Sequence, residues 1–383
     1  MKILIAPDSY KGCLSAAGVA QAMAFGCRAA LEAMGRNPEG RLVAIPLADG
    51  GEGTVEALVT ATGGSIISHT ATGPCGSPVQ GFYGILGDGE TAVVEVAAAS
   101  GLTLIPAEQR NPMLTTSLGT GELIRAVLDK GISKLLIGLG GSATNDGGMG
   151  ILSALGVKFL DGQGQPLQGR GTDLLQVTAL DTRGLDPRLD DLEIILACDV
   201  TNPFHGPQGA AFVYAPQKGA DSKTVRLLDE GLANLAGVFR RQMGVDVQAI
   251  PGAGAAGGIG GGLTAVLGAK FRPGIEVVME AARLTETLPQ VDLVLTGEGR
   301  TDRQTAYGKA PVGLARLAAA YGKPVVCLSG SLGEGYPEVL NQGISAVFSI
   351  LPRPMSLEEA QSGAARYIQE TAEMIVRLYL SKV

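Results

Sequence analysis

Polar side chains crowd one short stretch, TGEGRTDRQTAYGKAP, in which five of them, Glu298, Arg300, Asp302, Gln304 and Lys309, follow on the apolar run DLVL. The end of a strand needs at most one capping group, and surface ion pairing would account for roughly two of the five. Phosphoryl transfer uses such a mixture: carboxylates for Mg²⁺, a base near the hydroxyl, and cations on the transferring phosphate.

A second stretch, LLIGLGGSATNDGGMG from Leu135 to Gly150, leads an apolar run into a glycine loop and then into a helical pattern. Glycines let a backbone approach a ligand closely, and N–H groups at a helix start attract anions. Gly140, Gly141, Ser142, Asn145 and Asp146 are therefore candidate phosphate or carboxylate contacts, against the simpler reading of a tight strand-to-helix turn. The loop has no Walker lysine, and no GxxxxGK[ST] occurs elsewhere, so a P-loop NTPase is excluded.

Three more apolar runs end in polar groups. APDSYKG presents Asp8, Ser9 and Lys11, either a helix cap with a solvated lysine or a metal and phosphate pair. LADGGEGT places Asp49 and Glu52 around glycines, as helix capping or as ligands for Mg²⁺ or a substrate hydroxyl. ACDVTNPF places Asp199 and Asn202 after an apolar strand.

Other signals are weaker. GAGAAG, Gly252 to Gly257, matches the dinucleotide fingerprint in form, but Pro251 precedes it where the fingerprint needs a clean strand, so a packed glycine loop is favoured. His69 and His205 are too few and too separated for a histidine metal centre, and Ser142 lacks the elbow and nearby histidine of a serine hydrolase.

These clusters share one grammar. KILIAPDS, RLVAIPLADGGE, KLLIGLGGSATND, EIILACDVTN, DLVLTGEGRTD and PVVCLSGS are each a short apolar run followed at once by Gly, Ser, Asp or Asn. Such runs suit strands buried on both faces, and most alternate with amphipathic or Ala-rich helical patterns. The expected fold is α/β: a Rossmann-like parallel-sheet domain with ligands beyond the carboxyl ends of its strands. Two regions break the alternation, an antiparallel hairpin pattern at about 63–105 and a glycine-rich mixed segment at about 151–290. They are assigned to an inserted α+β domain, leaving 1–62, 106–150 and 291–383 as the discontinuous Rossmann-like domain, with the active site expected in the cleft between the two.

The 383 residues carry a net charge of −7 with scattered basic groups and no tryptophan, giving no footprint for nucleic acid. No segment approaches the ~18 uninterrupted apolar residues of a membrane span. The five cysteines are dispersed and odd in number, which suits a reducing cytoplasm. A small-molecule partner is expected, and a homo-oligomer is compatible with the sequence.

Taken together, APDSYKGCLSA, PLADGGEGT, GLGGSATNDGGMG, ACDVTNPFHGPQGAAFVYAPQKGA, GAGAAGGIGGGL and LTGEGRTDRQTAYGKAPVG closely resemble the bacterial type I glycerate kinases, in order from the first residues to about Gly313. Tyr10 stands where phenylalanine is expected and Cys13 where serine is usual, and neither change removes a charge. The resemblance implies ATP-dependent phosphorylation of D-glycerate to 2-phosphoglycerate, in glyoxylate or sugar-acid catabolism, by a two-domain α/β protein.

On chemical grounds, Asp199 and Glu298 are then the expected Mg²⁺ ligands and Asp49 the group that orients or deprotonates the substrate hydroxyl. Lys11 and Arg300 are expected to neutralise phosphate and carboxylate charge, and to replace the missing loop lysine. The loop Gly140 to Asn145 would donate N–H groups, Asn145 and Asp146 would face substrate or metal, and Ser9, Ser142, Asn202 and Lys309 complete the binding set. Closure of one domain on the other would shield the reaction from water. Three rivals remain: a galactokinase-type kinase resting on GLGGSA, a nicotinamide-dependent dehydrogenase resting on GAGAAG, and a non-catalytic binding protein that leaves the charged clusters without a task.

Overall fold

The computed structural model describes residues 1–381. Its strands, in chain order, are β1 (Ile3–Ile5), β2 (Leu42–Ala44), β3 (Ser65–Thr72), β4 (Pro78–Ile85), β5 (Thr91–Glu95), β6 (Lys134–Gly138), β7 (Lys158–Leu160), β8 (Ala179–Asp181), β9 (Glu193–Ala197), β10 (Lys270–Arg272), β11 (Leu293–Thr301), β12 (Val325–Leu332) and β13 (Ala346–Ser349). The chain divides into two compact units, one of Met1–Asp49, Glu56–Gly63 and the residues from Ile275 onward, the other of Gly50–Val55 and Gly64–Gly274.

The first unit is built on a five-stranded sheet ordered β13-β12-β11-β1-β2, in which every neighbouring pair is parallel. Burial on both faces explains its continuous apolar runs. Ile3, Ile5, Leu293, Leu295, Val326 and Leu328 pack against Met23, Cys27 and Leu31 of the helix Ala16–Ala33 and against Ile368, Ile375 and Val376 of the helix Leu357–Leu380. The alternate residues Leu4, Val294 and Val325 are buried as well and point to the opposite face. Ser15 caps the helix Ala16–Ala33 by accepting the Gly18 N–H at 3.2 Å. From β1 the chain steps outward to β2, and from β11 it steps the other way to β12 and β13, so the order reverses between β1 and β11. A doubly wound sheet opens its ligand crevice at such a reversal, outside the strands' carboxyl ends.

The second unit holds a six-stranded sheet ordered β10-β9-β6-β5-β4-β3 and a separate β7-β8 pair. The pairs β3–β4 and β4–β5 are antiparallel, realising the hairpins expected at 63–105, whereas β5, β6, β9 and β10 run parallel. Its core gathers Leu123 and Val127 of the helix Leu118–Leu128, Leu232, Leu235 and Phe239 of the helix Ser222–Met243, and Leu263 of the helix Ile259–Leu267. Phe204 and Phe239 meet edge to face there, with ring centroids 6.4 Å apart.

The expected domain limits need correction. Residues 106–150, assigned to the first sheet, lie in the second unit, because β6 pairs with β5 and β9. Residues 275–290 belong to the first unit, where Ile275 packs against Gly313. The six apolar runs all form strands, yet a buried parallel strand has the same sequence pattern whichever sheet satisfies its backbone. No helix among the described residues is long and apolar enough to cross a membrane.

The helices Ala16–Ala33 and Leu357–Leu380 touch where Gly26 has no side chain; a Cβ there would lie 2.1 Å from the Gln369 carbonyl oxygen. Gly26→Ala is expected to force the two helices apart and to destabilise the protein by about 1–3 kcal/mol or more, read as a lowered midpoint in urea unfolding.

Candidate functional site

The polar groups of the first unit collect beyond β1 and β11. The pairing of these strands continues past the end of β1, with the Asp8 N–H donating to the Gly297 carbonyl of β11 at 2.9 Å, which sets Asp8 beside the part of β11 that carries Glu298. Asp8 is 7% exposed and accepts the Ser9 N–H at 2.6 Å. Burial above all, then the negative charges of Asp49 and Glu298, push its pKa up to about 7 against the pull of the Ser9 N–H and Lys11. Lys11 reaches Asp49 at 3.6 Å, and that carboxylate raises the lysine's pKa further.

Glu298 is buried too. Its Oε1 accepts the hydroxyls of Thr305 at 2.7 Å and Thr301 at 3.1 Å, and its Oε2 lies 3.9 Å from the Lys309 ammonium. Burial raises its pKa, and the two hydroxyls and Lys309 oppose the shift. Arg300 is mostly exposed and pairs with Asp302 at 3.2 Å. The first unit thus brings together Asp8, Lys11, Asp49, Glu298 and Lys309, with Arg300 and Ser9 at the margin. Asp8 is conspicuous in sequence only as one of several polar residues in APDSYKG.

In the second unit the loop after β6 does have a lysine. Lys218, at the end of the short 3-10 turn Pro216–Lys218, is buried and donates to Ser142 Oγ at 2.9 Å and the Thr144 carbonyl at 2.7 Å. Sequence gave no spacing by which APQKGA could be matched to GLGGSAT. The side chain of the adjacent Asn145 is fully buried, and neither its amide oxygen nor its nitrogen has a hydrogen-bond partner.

Several expected ligands turn out to brace the backbone. Asp146 accepts the N–H and hydroxyl of Ser117, each at 2.7 Å, and the N–H groups of Gly148 at 3.0 Å and Gly150 at 3.4 Å. Its carboxylate anchors the start of the helix Met149–Ala154. The Gly140 N–H donates to Gly50 at 3.3 Å, so part of the anticipated N–H cradle is already used. Asn202 spends its amide nitrogen on the Gln208 carbonyl at 2.8 Å and its oxygen on the Tyr214 hydroxyl. Asp199 accepts the Gly274 N–H at 2.9 Å. It lies in the second unit and Glu298 in the first, and no group of three or more His, Cys, Asp or Glu among the described residues is arranged to hold a metal.

GAGAAG follows a 3-10 turn at Val247–Ala249, not a strand. Its Gly257, at φ +72°, lies so close to the β6 loop that a Cβ would sit 2.1 Å from the Thr144 carbonyl oxygen. The packed-loop reading holds, and the strand-to-helix turn that a dinucleotide needs is missing. Glu95 was overlooked: it ends β5, is 2% exposed, and accepts the Val55 N–H at 2.7 Å. Burial pushes its pKa up to about 7 against those backbone donors. A lone glutamate inside the apolar run TAVVEVAAA was the signal available.

The comparisons with known proteins agree with one another. The model of the glycerate kinase family matches residues 3–380. The glycerate 2-kinase of Escherichia coli (strain K12) is 49% identical over 364 residues, covering 95% of this chain and 94% of that protein. The glycerate kinase of Bacillus subtilis (strain 168) is 46% identical over 375 residues, covering 98% and 97%. A crystal structure described as a candidate glycerate kinase 2 from Salmonella typhimurium LT2 superposes with a TM-score of 0.89 at 46% identity, covering 100% of this chain and 99% of that one. With a parallel α/β scaffold, a buried acid and lysine cluster at its strand ends and a family match along nearly its whole length, the chain belongs to the glycerate kinase family.

Proposed function

We propose that this enzyme transfers the γ-phosphoryl group of ATP to the 2-hydroxyl of D-glycerate. The observation that carries the chemistry is Asp8, a buried carboxylate with a pKa of about 7 next to Lys11, Asp49 and Glu298. A general base works best when its pKa lies near the working pH. Asp8 therefore suits acceptance of the hydroxyl proton better than Asp49, whose partner is Lys11 at 3.6 Å; Asp49 orients the lysine. Lys11 and Lys309 supply positive charge for the transferring phosphoryl group, with Arg300 contributing from its exposed position. The 2-position is supported by the name of the Escherichia coli relative.

Mg²⁺ fits the residues present. Asp8 is pushed up in part by the charges of Asp49 and Glu298, a crowding of like charge that a divalent cation relieves. Mg²⁺ is usually held by one or two carboxylates, with phosphate oxygens and water completing its shell; Glu298 is the proposed protein ligand, and Asp199 is left to its backbone role. When bound with ATP, the ion would neutralise phosphate charge. A cytoplasmic setting is supported by five free cysteines.

Incubation with MgATP and D-glycerate is expected to yield 2-phosphoglycerate by phosphorus NMR; the 3-isomer would overturn the position, and no product would overturn the reaction. Lys11→Ala should lower kcat by on the order of 10²–10³ while leaving the circular dichroism unchanged, and Arg300→Ala should cost less because Arg300 is exposed and paired with Asp302.

Asp8→Asn should abolish most turnover yet stabilise the fold. The raised folded-state pKa means that ionised Asp8 opposes folding, a penalty absent below the ordinary carboxylate range and growing as pH rises from about 4 to about 7. The variant is expected to exceed the wild type by on the order of 1–4 kcal/mol at pH 8, with the gap closing near pH 4, as measured by urea unfolding across pH.

A further inference from the structure

The polar end of PVVCLSGS, the last of the six apolar runs, has no part in the reaction as described above. Cys327 and Ser329 are two residues apart on β12 and so share one face of that strand, and Ser329 lies opposite Glu298 in the parallel register with β11. Both are buried, as are Thr301 and Thr305. The Ser329 hydroxyl is 2.5 Å from that of Thr301, and the Cys327 thiol is 3.7 Å from the Ser329 hydroxyl. Apolar side chains of the same shape would fill such places at little cost. Polar groups lined up behind one carboxylate therefore point to a task at that carboxylate.

Counting protons gives the row a direction. An ionised carboxylate only accepts, and a hydroxyl has one proton to give. Thr301 gives its proton to Glu298 Oε1 at 3.1 Å, so the proton in the short contact between Ser329 and Thr301 comes from Ser329. Ser329 Oγ can then accept from Cys327, whose thiol is pushed up to about 12 by burial and so keeps its proton. Thr305 brings a second hydroxyl to Glu298 Oε1 at 2.7 Å. Glu298 Oε2, in contrast, accepts no hydrogen bond among the described residues, and its ion-pair partner, Lys309, stands off at 3.9 Å.

We propose that Ser329 and Thr301 are positioning residues that, with Thr305, lock Glu298 through Oε1 and leave Oε2 as the single oxygen presented to the metal of a metal–nucleotide complex. The proposal rests on the kinase reading, in which Glu298 is the protein ligand of Mg²⁺. Two donors on one oxygen fix both the place and the plane of a carboxyl group. With one donor, the group can swing about the remaining bond and exchange its two oxygens. Such an exchange matters to Mg²⁺, which demands near-octahedral geometry and takes few protein ligands. Ser329 touches neither metal nor substrate in this arrangement; it acts through Thr301, and every residue of the row belongs to the first unit.

The test measures binding of the Mn²⁺–ATP complex by water-proton relaxation, without glycerate, to the wild type, Thr301→Val, Thr301→Ser, Ser329→Ala and the Thr301→Val/Ser329→Ala double variant. Thr301→Val keeps the shape and removes the hydroxyl; it should weaken binding by about 10-fold, the scale of one hydrogen bond to a charged group. Thr301→Ser should restore it. Ser329→Ala should weaken binding by ~3-fold, the scale of a bond between neutral groups, and the double variant should bind no more weakly than Thr301→Val alone, because Ser329 acts through Thr301. Independent structural roles would give additive losses, or a lower urea midpoint with binding unchanged; either result would overturn the inference. If Thr301→Val does not fold, Ser329→Ala decides: weaker binding supports the inference and unchanged binding overturns it. A wild type that binds Mn²⁺–ATP but does not phosphorylate D-glycerate would overturn the choice of acceptor and leave the positioning of Glu298 standing.

Discussion

Two carboxylates, Asp8 and Glu298, are held out of water beside one another and close to Asp49, and the first unit is organised around making that tolerable. Burial raises both pKa values, and an uncompensated charge there would not persist. Compensation comes from separate stretches of chain: the Ser9 N–H and Lys11 near the end of β1, Thr301 and Thr305 around the end of β11, and Lys309 at the start of the next helix. These meet because the strand order reverses between β1 and β11. The same reversal brings buried acid and cation together, and so produces a carboxylate able to exchange a proton near neutral pH.

The second unit solves a related problem with the opposite charge. Gly257 of the separate glycine loop has no side chain and so can approach the Thr144 backbone of the β6 loop, and the β6 loop is braced by Asp146 from within. Lys218 enters a space from which water is largely excluded. A hydroxyl and a carbonyl accept from its ammonium, and the nearby charge of Asp146 works against the lowering of its pKa by burial.

Much of this was legible without coordinates. The six apolar runs are strands, their polar ends carry the charged groups, the hairpins of 63–105 exist, and the ordered motifs pointed to the right family. Lys11, Asp49, Glu298 and Lys309 could be singled out because charged residues directly after a buried strand have little structural reason to be there, whereas Asp8 is one of several polar residues in its motif. Asp146, Asn202 and Asp199 look the same in sequence, and only the fold shows that each holds a backbone donor, an acceptor or a neighbouring side chain nearby.

Sequence by itself determined the α/β class, the strand segments and the family, because these depend on the local alternation of apolar and polar residues and on motifs in fixed order. Tertiary structure alone decided which sheet each strand joined, as with β6, since a strand buried on both faces looks alike in either. It alone also showed that the lysine serving the β6 loop is Lys218, more than seventy residues away from Ser142, and that burial and neighbouring charge push the Asp8 pKa up to about 7. A pKa depends on burial and on the charges nearby, and neither is a property of the chain until it has folded.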